Sequence, residues 1–209
     1  MDVYKTEEEQ VEAIKKWWSE NGKSLIIGVV IGVTAIFGWR AYETHNATQA
    51  QAASILYEQL LLASRENDTE NMRALSDDII RNYNSSTYAI FSKLMLAKLE
   101  SESNNFENAE KHLQSILDNK NNDFEHVVTM RLVRVLIANN KLDKAKKLIT
   151  GVEPGQFKSH YEELRGDILV KQGNFKEAAR AYQNALINSL NTEDSQSILQ
   201  MKLDDLGRS

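Results

Sequence analysis

The longest run of apolar positions in the chain lies near its N-terminus, at residues 24–39 (SLIIGVVIGVTAIFGW). The run contains no charged residue, and as a helix it would cover roughly 24 Å at about 1.5 Å per residue. This is slightly short of a hydrocarbon core of about 30 Å. Lys23 and Arg40 bracket the run, and their long side chains can reach the lipid headgroups. The pattern predicts a single transmembrane helix over residues 24–40.

Two other interpretations of this run fit less well. A buried core helix would carry polar residues on one face, whereas Ser24 and Thr34 provide the only hydroxyls here. A cleaved signal peptide needs a small-x-small site just after its apolar core, but Trp39 and Arg40 stand there instead. We therefore expect an anchor that stays in the mature protein.

The distribution of basic residues predicts the orientation of this anchor. Four lysines precede the run: Lys5, Lys15, Lys16 and Lys23. Only Arg40 follows it before Arg65. Because basic residues are retained on the cytoplasmic side, residues 1–23 are expected to form a cytoplasmic tail of a bacterial inner-membrane protein. Residues 41–209 are then expected to form a periplasmic domain.

The tail itself has a helical pattern at residues 7–20, where Val11, Ile14 and Trp18 share one face. A helix of this kind either lies in the interface of the inner leaflet or is a solvated segment that leads into the anchor. The sequence leaves both interpretations open.

Beyond the anchor, the chain shows no strand-like alternation and only one proline, Pro154. Helical blocks alternate with turns rich in Asn, Asp and Gly, at residues 67–68, 82–85, 104–105, 119–122, 139–140, 151–155 and 173–174. Helices joined by short polar turns form helical hairpins. The predicted fold is therefore all-α: a transmembrane helix followed by a solenoid of hairpins.

The hairpins repeat in sequence. Phe106-x-x-Ala109, Leu142-x-x-Ala145 and Phe175-x-x-Ala178 recur at separations of 36 and 33 residues. Two-helix repeats of about 34 residues are typical of tetratricopeptide folds. The small alanine is expected to let the second helix approach the first closely, while the large residue before it fills space at the turn.

Residues 161–186 match this repeat best, with Gly166 where the first helix meets its partner and Tyr182 on the second helix. Ala97 and Val133 replace that glycine in the two earlier repeats. A weaker first hairpin is expected from helices near residues 47–65 and 71–83. A last helix at residues 195–206 carries Leu199, Leu203 and Leu206 on one face, as a capping helix should.

Composition restricts the chemistry of the domain. The net charge of −5 and the lack of a basic stripe argue against nucleic acid as a partner. The sequence contains no cysteine, so thiolate catalysis and thiolate metal sites are excluded. The four histidines lie in different blocks: His45, His112, His126 and His160. No phosphate loop, nucleophile motif or zinc motif is present. We expect no catalytic residue, no cofactor and no metal site.

Two surfaces remain as candidates for binding. Ser24, Gly28 and Gly32 recur every fourth residue in the span, a spacing that lets a second membrane helix pack closely. The other candidate is a groove lined by the first helix of each hairpin and suited to an extended or unfolded peptide. Its predicted members are Phe91, Leu94, Lys98, Val127, Met130, Arg134 and Asp167.

Residues 10–42 (QVEAIKKWWSENGKSLIIGVVIGVTAIFGWRAY) resemble the N-terminus of the YfgM-like family, the ancillary subunits of the bacterial SecYEG translocon. The resemblance rests on QVEA at 10–13, KKWW at 15–18, ENGK at 20–23, the glycine-spaced span and GWR at 38–40. QMKL at 200–203 also resembles the end of family members.

This resemblance implies a non-enzymatic inner-membrane protein with a periplasmic tetratricopeptide domain. Its implied partners are the SecYEG translocon, a membrane-anchored periplasmic prolyl isomerase and chaperone, and exported client proteins. The alternative is a regulatory adaptor whose cytoplasmic tail controls an envelope-stress signalling protein. The sequence leaves client identity, oligomeric state and the role of the tail open.

Overall fold

The computed structural model describes residues 7–118, 123–189 and 193–207 of the chain. Over these residues it is helical without strands, and contacts divide the chain into two compact units, Met1–Ala52 and Ala53–Ser209. The helices are α1 (Glu7–Arg65), α2 (Thr69–Asn82), α3 (Thr87–Glu102), α4 (Phe106–Leu117), α5 (Glu125–Ala138), α6 (Leu142–Thr150), α7 (Lys158–Lys171), α8 (Phe175–Asn188) and α9 (Glu193–Leu206), with a 3₁₀ turn at Gly155–Phe157 before α7. The predicted all-α class is confirmed.

Helix α1 carries the apolar run with its side chains uncovered by protein. Ile31, Phe37 and Trp39 are among its many exposed large apolar side chains. Within the described residues, α1 is the one helix long and apolar enough to cross a membrane. The hydroxyl of Thr34 donates to the carbonyl oxygen of Val30 at 2.8 Å, so this polar group is satisfied inside the helix, as a membrane interior requires.

Helix α1 also includes the segment that joins the span to the first hairpin. The helical stretches predicted at residues 7–20, 24–40 and 47–65 all lie within α1, which runs through them without a break. The physical reason is that residues 41–52 contain neither glycine nor proline and are rich in alanine, so nothing there ends a helix. The helical pattern of residues 7–20 is confirmed, and the position of this segment relative to a membrane stays a prediction.

Four hairpins share one turn geometry. The turn residues Asn67, Asn104, Asn140 and Gly173 have positive φ angles of 56°, 59°, 57° and 76°. The next residue in each turn donates its N–H to the carbonyl five positions earlier, for example Asn105 to Glu100 at 2.8 Å and Asn174 to Leu169 at 2.9 Å. This pattern ends a helix while satisfying its last carbonyls, and asparagine and glycine are the residues that accept the left-handed conformation most readily. The predicted hairpins are confirmed, including the weak first one.

The second helices α4, α6 and α8 begin at the predicted residues, Phe106, Leu142 and Phe175. Ala109, Ala145 and Ala178 are fully buried, which confirms their role in close packing. The large residue at the turn behaves less uniformly, because Phe106 and Leu142 pack on the core while Phe175 is 44% exposed. The last hairpin therefore does not use its phenylalanine to fill the turn.

One position on the first helix and one on the second helix can be compared between the four hairpins, and in the last hairpin these two positions are in contact. Counted from the turn residue, the positions seven before and nine after carry Leu60 and Ser76, Ala97 and Leu113, Val133 and Ile149, and Gly166 and Tyr182. All eight are buried or partly buried. A Cβ atom at Gly166 would lie 2.3 Å from a ring carbon of Tyr182. Three of these position pairs combine a large residue with a small one, whereas Val133 and Ile149 are both branched apolar residues.

The hairpins and the last helix enclose three apolar clusters. The first joins α1, α2 and α3 around Leu60 and Ile79. The largest extends from α3 to α7 and includes Leu132 and Leu164. The third lies between α8 and α9, where Leu199, Leu203 and Leu206 pack near Tyr182 and Ala185. The predicted apolar face of the capping helix is confirmed.

We expect Gly166→Ala to destabilise the domain by about 2 kcal/mol, because the added methyl group overlaps the Tyr182 ring in a packed core. The double variant Gly166→Ala/Tyr182→Leu should regain part of this loss, since it copies the Ala97–Leu113 pair. Thermal and urea unfolding of the full-length protein would measure both effects. Equal stability of Gly166→Ala and wild type would show that α7 and α8 can move apart at Gly166 without loss of stability.

Candidate protein-binding surface

The predicted groove residues occupy equivalent positions on α3, α5 and α7. Relative to the turn residues, Lys98, Arg134 and Asp167 stand six positions before, and Leu94 and Met130 ten before. Phe91 and Val127 stand thirteen positions before the turn residue. These spacings of three, four and seven place all the residues on one face of their helices. The structure thus places the predicted set on one repeating face.

The members of this face differ in exposure. Lys98 and Arg134 are exposed, and Phe91 and Val127 are partly buried. Leu94 and Met130 are only 9% and 7% exposed, because both belong to the largest apolar cluster. The charged residues are therefore available at the surface, while the apolar ones mainly form the floor beneath it.

A cleft of about 290 Å³ opens on this face where α3, α4 and α5 meet. Three of the predicted groove residues, Leu94, Lys98 and Arg134, line it. The rest of the lining comes from Ala97, Ser101, Phe106, Leu113, Arg131, Val135 and Ala138. The cleft combines apolar walls with a cationic rim, which are the two features that recognise an amphipathic peptide.

Phe91 belongs to a chain of aromatic contacts between successive hairpins. Its ring centroid lies 5.8 Å from that of Tyr57 on α1, 6.4 Å from Tyr88 and 5.4 Å from Phe124. Such tilted and edge-on arrangements are the favourable ones for aromatic pairs. These contacts fix the spacing of the first helices, so Phe91 supports the face as well as forming part of it.

A second aromatic group joins α5 to α7, and the sequence analysis missed it. The ring of His126 lies 4.6 Å from that of Phe157, and its Nδ1 atom is 3.1 Å from the hydroxyl of Tyr161. Burial raises the pKa of Tyr161, so this hydroxyl keeps its proton. One sequence signal could have revealed it: an aromatic residue stands at the same repeat position near the start of α3, α5 and α7. These residues are Tyr88, Phe124 and Phe157.

At the last hairpin the groove face is covered by α9. Nζ of Lys202 lies 2.6 Å from a carboxylate oxygen of Asp167 and 2.7 Å from one of Glu163, and it stands 5.5 Å above the Tyr182 ring. The Tyr182 hydroxyl donates to Asp167 at 2.7 Å. Asp167 is thus engaged by two side chains of its own protein.

Electrostatics explain the stability of this cluster. Burial by itself lowers the pKa of Lys202, but hydrogen bonds and charge from Asp167 and Glu163 outweigh it and raise that pKa overall. Burial, followed by the bond to Asp167, raises the pKa of Tyr182 strongly. Lys202 therefore stays charged and Tyr182 stays neutral, so the arrangement persists over the whole physiological pH range.

Three further ion pairs, formed by two acidic residues, join successive hairpins. Arg73 on α2 pairs with Glu100 on α3, which is only 3% exposed and also accepts from the Asn105 side chain at 2.7 Å. Glu110 on α4 accepts from Lys141 at 2.8 Å and from Lys144 at 3.3 Å. The hydrogen bond from Lys141 holds the pKa of Glu110 below its usual value, with Lys144 adding to the effect.

In the span, Ser24, Gly28 and Gly32 lie on one face of α1 and are exposed. A Cβ atom at either glycine would meet nothing within 4 Å, so both positions are open for a neighbouring helix. Among residues 7–118, 123–189 and 193–207, no group of three His, Asp or Glu side chains is arranged to hold a metal ion.

We expect Lys202→Met to weaken the docking of α9, because it leaves the partly buried carboxylates of Asp167 and Glu163 without their cation. The loss should be about 1–2 kcal/mol, and it should appear as faster amide hydrogen exchange at Leu203 and Leu206. Lys171→Met, which alters an exposed lysine on α7, is the matched control and should leave exchange in α9 unchanged. Equal exchange in both variants would show that the apolar face alone holds α9.

The ion pair of Glu110 should make stability depend on pH in the acid range. Its pKa in the folded state is lowered from 4.5, so its contribution is complete above about 4.5 and is lost as pH falls through the folded-state value. We therefore expect wild type to exceed Glu110→Gln in unfolding free energy by a constant amount at neutral pH, and by less below about pH 4.5. Urea titrations across pH would measure this difference. Glu58→Gln, at an exposed position of α1, should show no such change.

The comparisons with known proteins cover nearly the whole chain. A family model described as a tetratricopeptide repeat-like domain matches residues 15–208. A protein of Escherichia coli (strain K12) named "Ancillary SecYEG translocon subunit" is 31% identical over 99% of this chain and 99% of its own length. A Haemophilus influenzae protein of the same name is 32% identical over 98% of this chain and its full length.

The same name is carried by a Neisseria gonorrhoeae protein that is 26% identical over 99% of this chain and its full length. No solved structure matches the chain. The apolar helix α1 fits the single-pass inner-membrane architecture predicted from the sequence. The chain therefore belongs to the family of ancillary SecYEG translocon subunits, proteins with a tetratricopeptide repeat-like domain.

Proposed function

We propose that this protein is a non-enzymatic, membrane-tethered scaffold of protein export. In this proposal it associates with the SecYEG translocon and links the channel to a periplasmic prolyl isomerase and chaperone and to newly exported proteins. The observation that carries the proposal is the end-to-end match to relatives named ancillary SecYEG translocon subunits. A stack of helical hairpins supports a scaffold role, since such folds present extended binding surfaces.

The tether gives the proposal its mechanism. Residues 1–23 would form the cytoplasmic tail, residues 24–40 the anchor and residues 41–209 the periplasmic domain, as the excess of lysine before the span favours. Anchoring beside the channel converts later contacts into intramolecular ones, so weak contacts with partners suffice.

The face of Ser24, Gly28 and Gly32 is our candidate for the contact with the channel. Small side chains let two membrane helices approach closely, and the space around both glycines is open. The groove face of α3 and α5 is our candidate for the isomerase, the clients or both. Its exposed charges, Lys98 and Arg134, can interact with a partner without unfolding of the domain.

We expect Gly28→Ile/Gly32→Ile to reduce co-purification of SecYEG with the full-length protein, because the bulky side chains separate the two packed helices. Val30→Phe is the control, since Val30 is exposed and lies on the opposite side of α1 from Ser24, Gly28 and Gly32. Neither change should alter thermal unfolding of the hairpin domain, which contains none of these residues.

Photo-crosslinking from probes at Gly28, Lys98 and Arg134 would identify the neighbours of the two surfaces in cells. Lys98 and Arg134 are suitable because they are exposed, whereas Met130 is buried. Adducts to channel subunits from the span, and to the isomerase or to exported chains from the domain, would support the proposal. Adducts only to signalling proteins would refute it in favour of the regulatory adaptor.

A further inference from the structure

The cleft between α3, α4 and α5 has an unusual distribution of charge for a chain of net charge −5. Its described lining includes three basic residues, Lys98, Arg131 and Arg134, and no acidic one. Glu102 lies 3.7 Å from Lys98, with both side chains more than 60% exposed, so this pair is weak. Like charges held on two neighbouring helices repel each other, and a carboxylate placed between them would relieve the repulsion.

The chain itself shows what such a junction looks like when its charges are complementary. Helix α9 packs against α8 as α5 packs against α4. At the α9 junction, Lys202 meets the carboxylates of Glu163 and Asp167. The residues of α3 equivalent to these two acids are Leu94 and Lys98. The α9 junction thus joins a cation with carboxylates, whereas the described lining of the cleft carries cations and no acid.

The apolar part of the cleft limits the kind of anion that fits. Leu94, Ala97, Phe106, Leu113 and Val135 supply its walls. A small hydrated anion would leave this apolar surface exposed to water, whereas a leucine or phenylalanine side chain would cover it. The ligand therefore needs an apolar side chain next to its carboxylates.

We propose that this cleft binds an acidic amphipathic segment of a partner protein. An apolar side chain of the segment enters the cleft, and neighbouring aspartate or glutamate side chains pair with Arg131, Arg134 and Lys98. Arginine suits this role because its planar guanidinium group can bind a carboxylate through two hydrogen bonds. The inference deepens the proposed scaffold function and rests on it, since it specifies the chemistry of a protein partner at the groove face.

The test uses full-length protein in an uncharged detergent and short fluorescent peptides built around Leu-Asp-Glu-Leu. One comparison peptide has lysine in place of both acids, and a second has serine in place of both leucines. Fluorescence anisotropy should show the acidic amphipathic peptide binding about tenfold more tightly than either comparison peptide. Only this peptide offers both carboxylates for the basic residues and leucine side chains for the apolar walls.

Two variants locate the binding. Arg131→Glu/Arg134→Glu should weaken binding of the acidic amphipathic peptide by about tenfold or more. Arg180→Glu changes an exposed arginine on α8 outside the cleft and should change the affinity less than about twofold. Thermal unfolding shows whether each variant is folded, and Arg131→Gln/Arg134→Gln replaces the charge reversal if that variant is not.

Equal binding of the serine peptide, or full binding by the folded double variant, would overturn the inference. Co-purification with SecYEG separates this result from a failure of the proposed function. If wild type retains the channel but binds no peptide, the cleft inference is wrong and the scaffold proposal stands. If wild type binds the peptide through Arg131 and Arg134 but does not associate with the channel, the scaffold proposal is wrong.

Discussion

The close approach of the two helices in each hairpin is the constraint on which the domain depends. A left-handed turn residue reverses the chain, and in the last hairpin a residue before the turn and one after it lie against each other and limit how far apart the helices can be. Gly166 and Tyr182 show this most sharply, because the ring occupies the place of a side chain. At the same two positions of the first hairpin the large residue, Leu60, is on the first helix and the small one, Ser76, is on the second, and both are fully buried. The residues at these positions therefore differ between repeats that share one turn geometry.

The helices at the two ends of a hairpin stack have no further hairpin to cover them. Each end therefore needs a capping element, since it would otherwise expose an apolar face. At the C-terminal end, α9 covers Tyr182 and Ala185 with Leu199. Apolar contacts have no preferred direction, so they alone would let α9 shift along the surface it covers. The bonds of Lys202 to two carboxylates and its position over the Tyr182 ring fix the register of α9. The face that carries a candidate groove on α3 and α5 is therefore used for internal packing on α7.

Much of this fold follows from local sequence signals. Phe106-x-x-Ala109 and its two repeats predict both the helix starts and the buried alanines, because close helix packing requires a small residue at a fixed place after a turn. The lack of glycine and proline at residues 41–52 likewise agrees with the continuous α1.

Other features depend on neighbours that are distant in sequence. The phase of the repeat places Leu94 and Met130 on the groove face, but their burial depends on how closely α4 and α5 pack around them. Lys202 lies 35 and 39 residues from its carboxylate partners, so no periodic pattern reveals the pairs. The cleft likewise needs side chains from three helices, and only the folded chain brings Arg131 beside Phe106 and Lys98.

The placement of charge connects this architecture to a binding role. Glu100, Glu110 and Asp167 each accept a hydrogen bond from a side chain on another helix, so these acids join helices rather than face a ligand. Joined helices form a surface that is rigid before a partner arrives, and a pre-organised surface loses less conformational entropy on binding. The cationic rim of the cleft belongs to this rigid face, while Lys98 and Arg134 remain exposed. A tethered domain with such a face can hold a partner through few contacts, because the tether supplies proximity and the joined helices supply geometry.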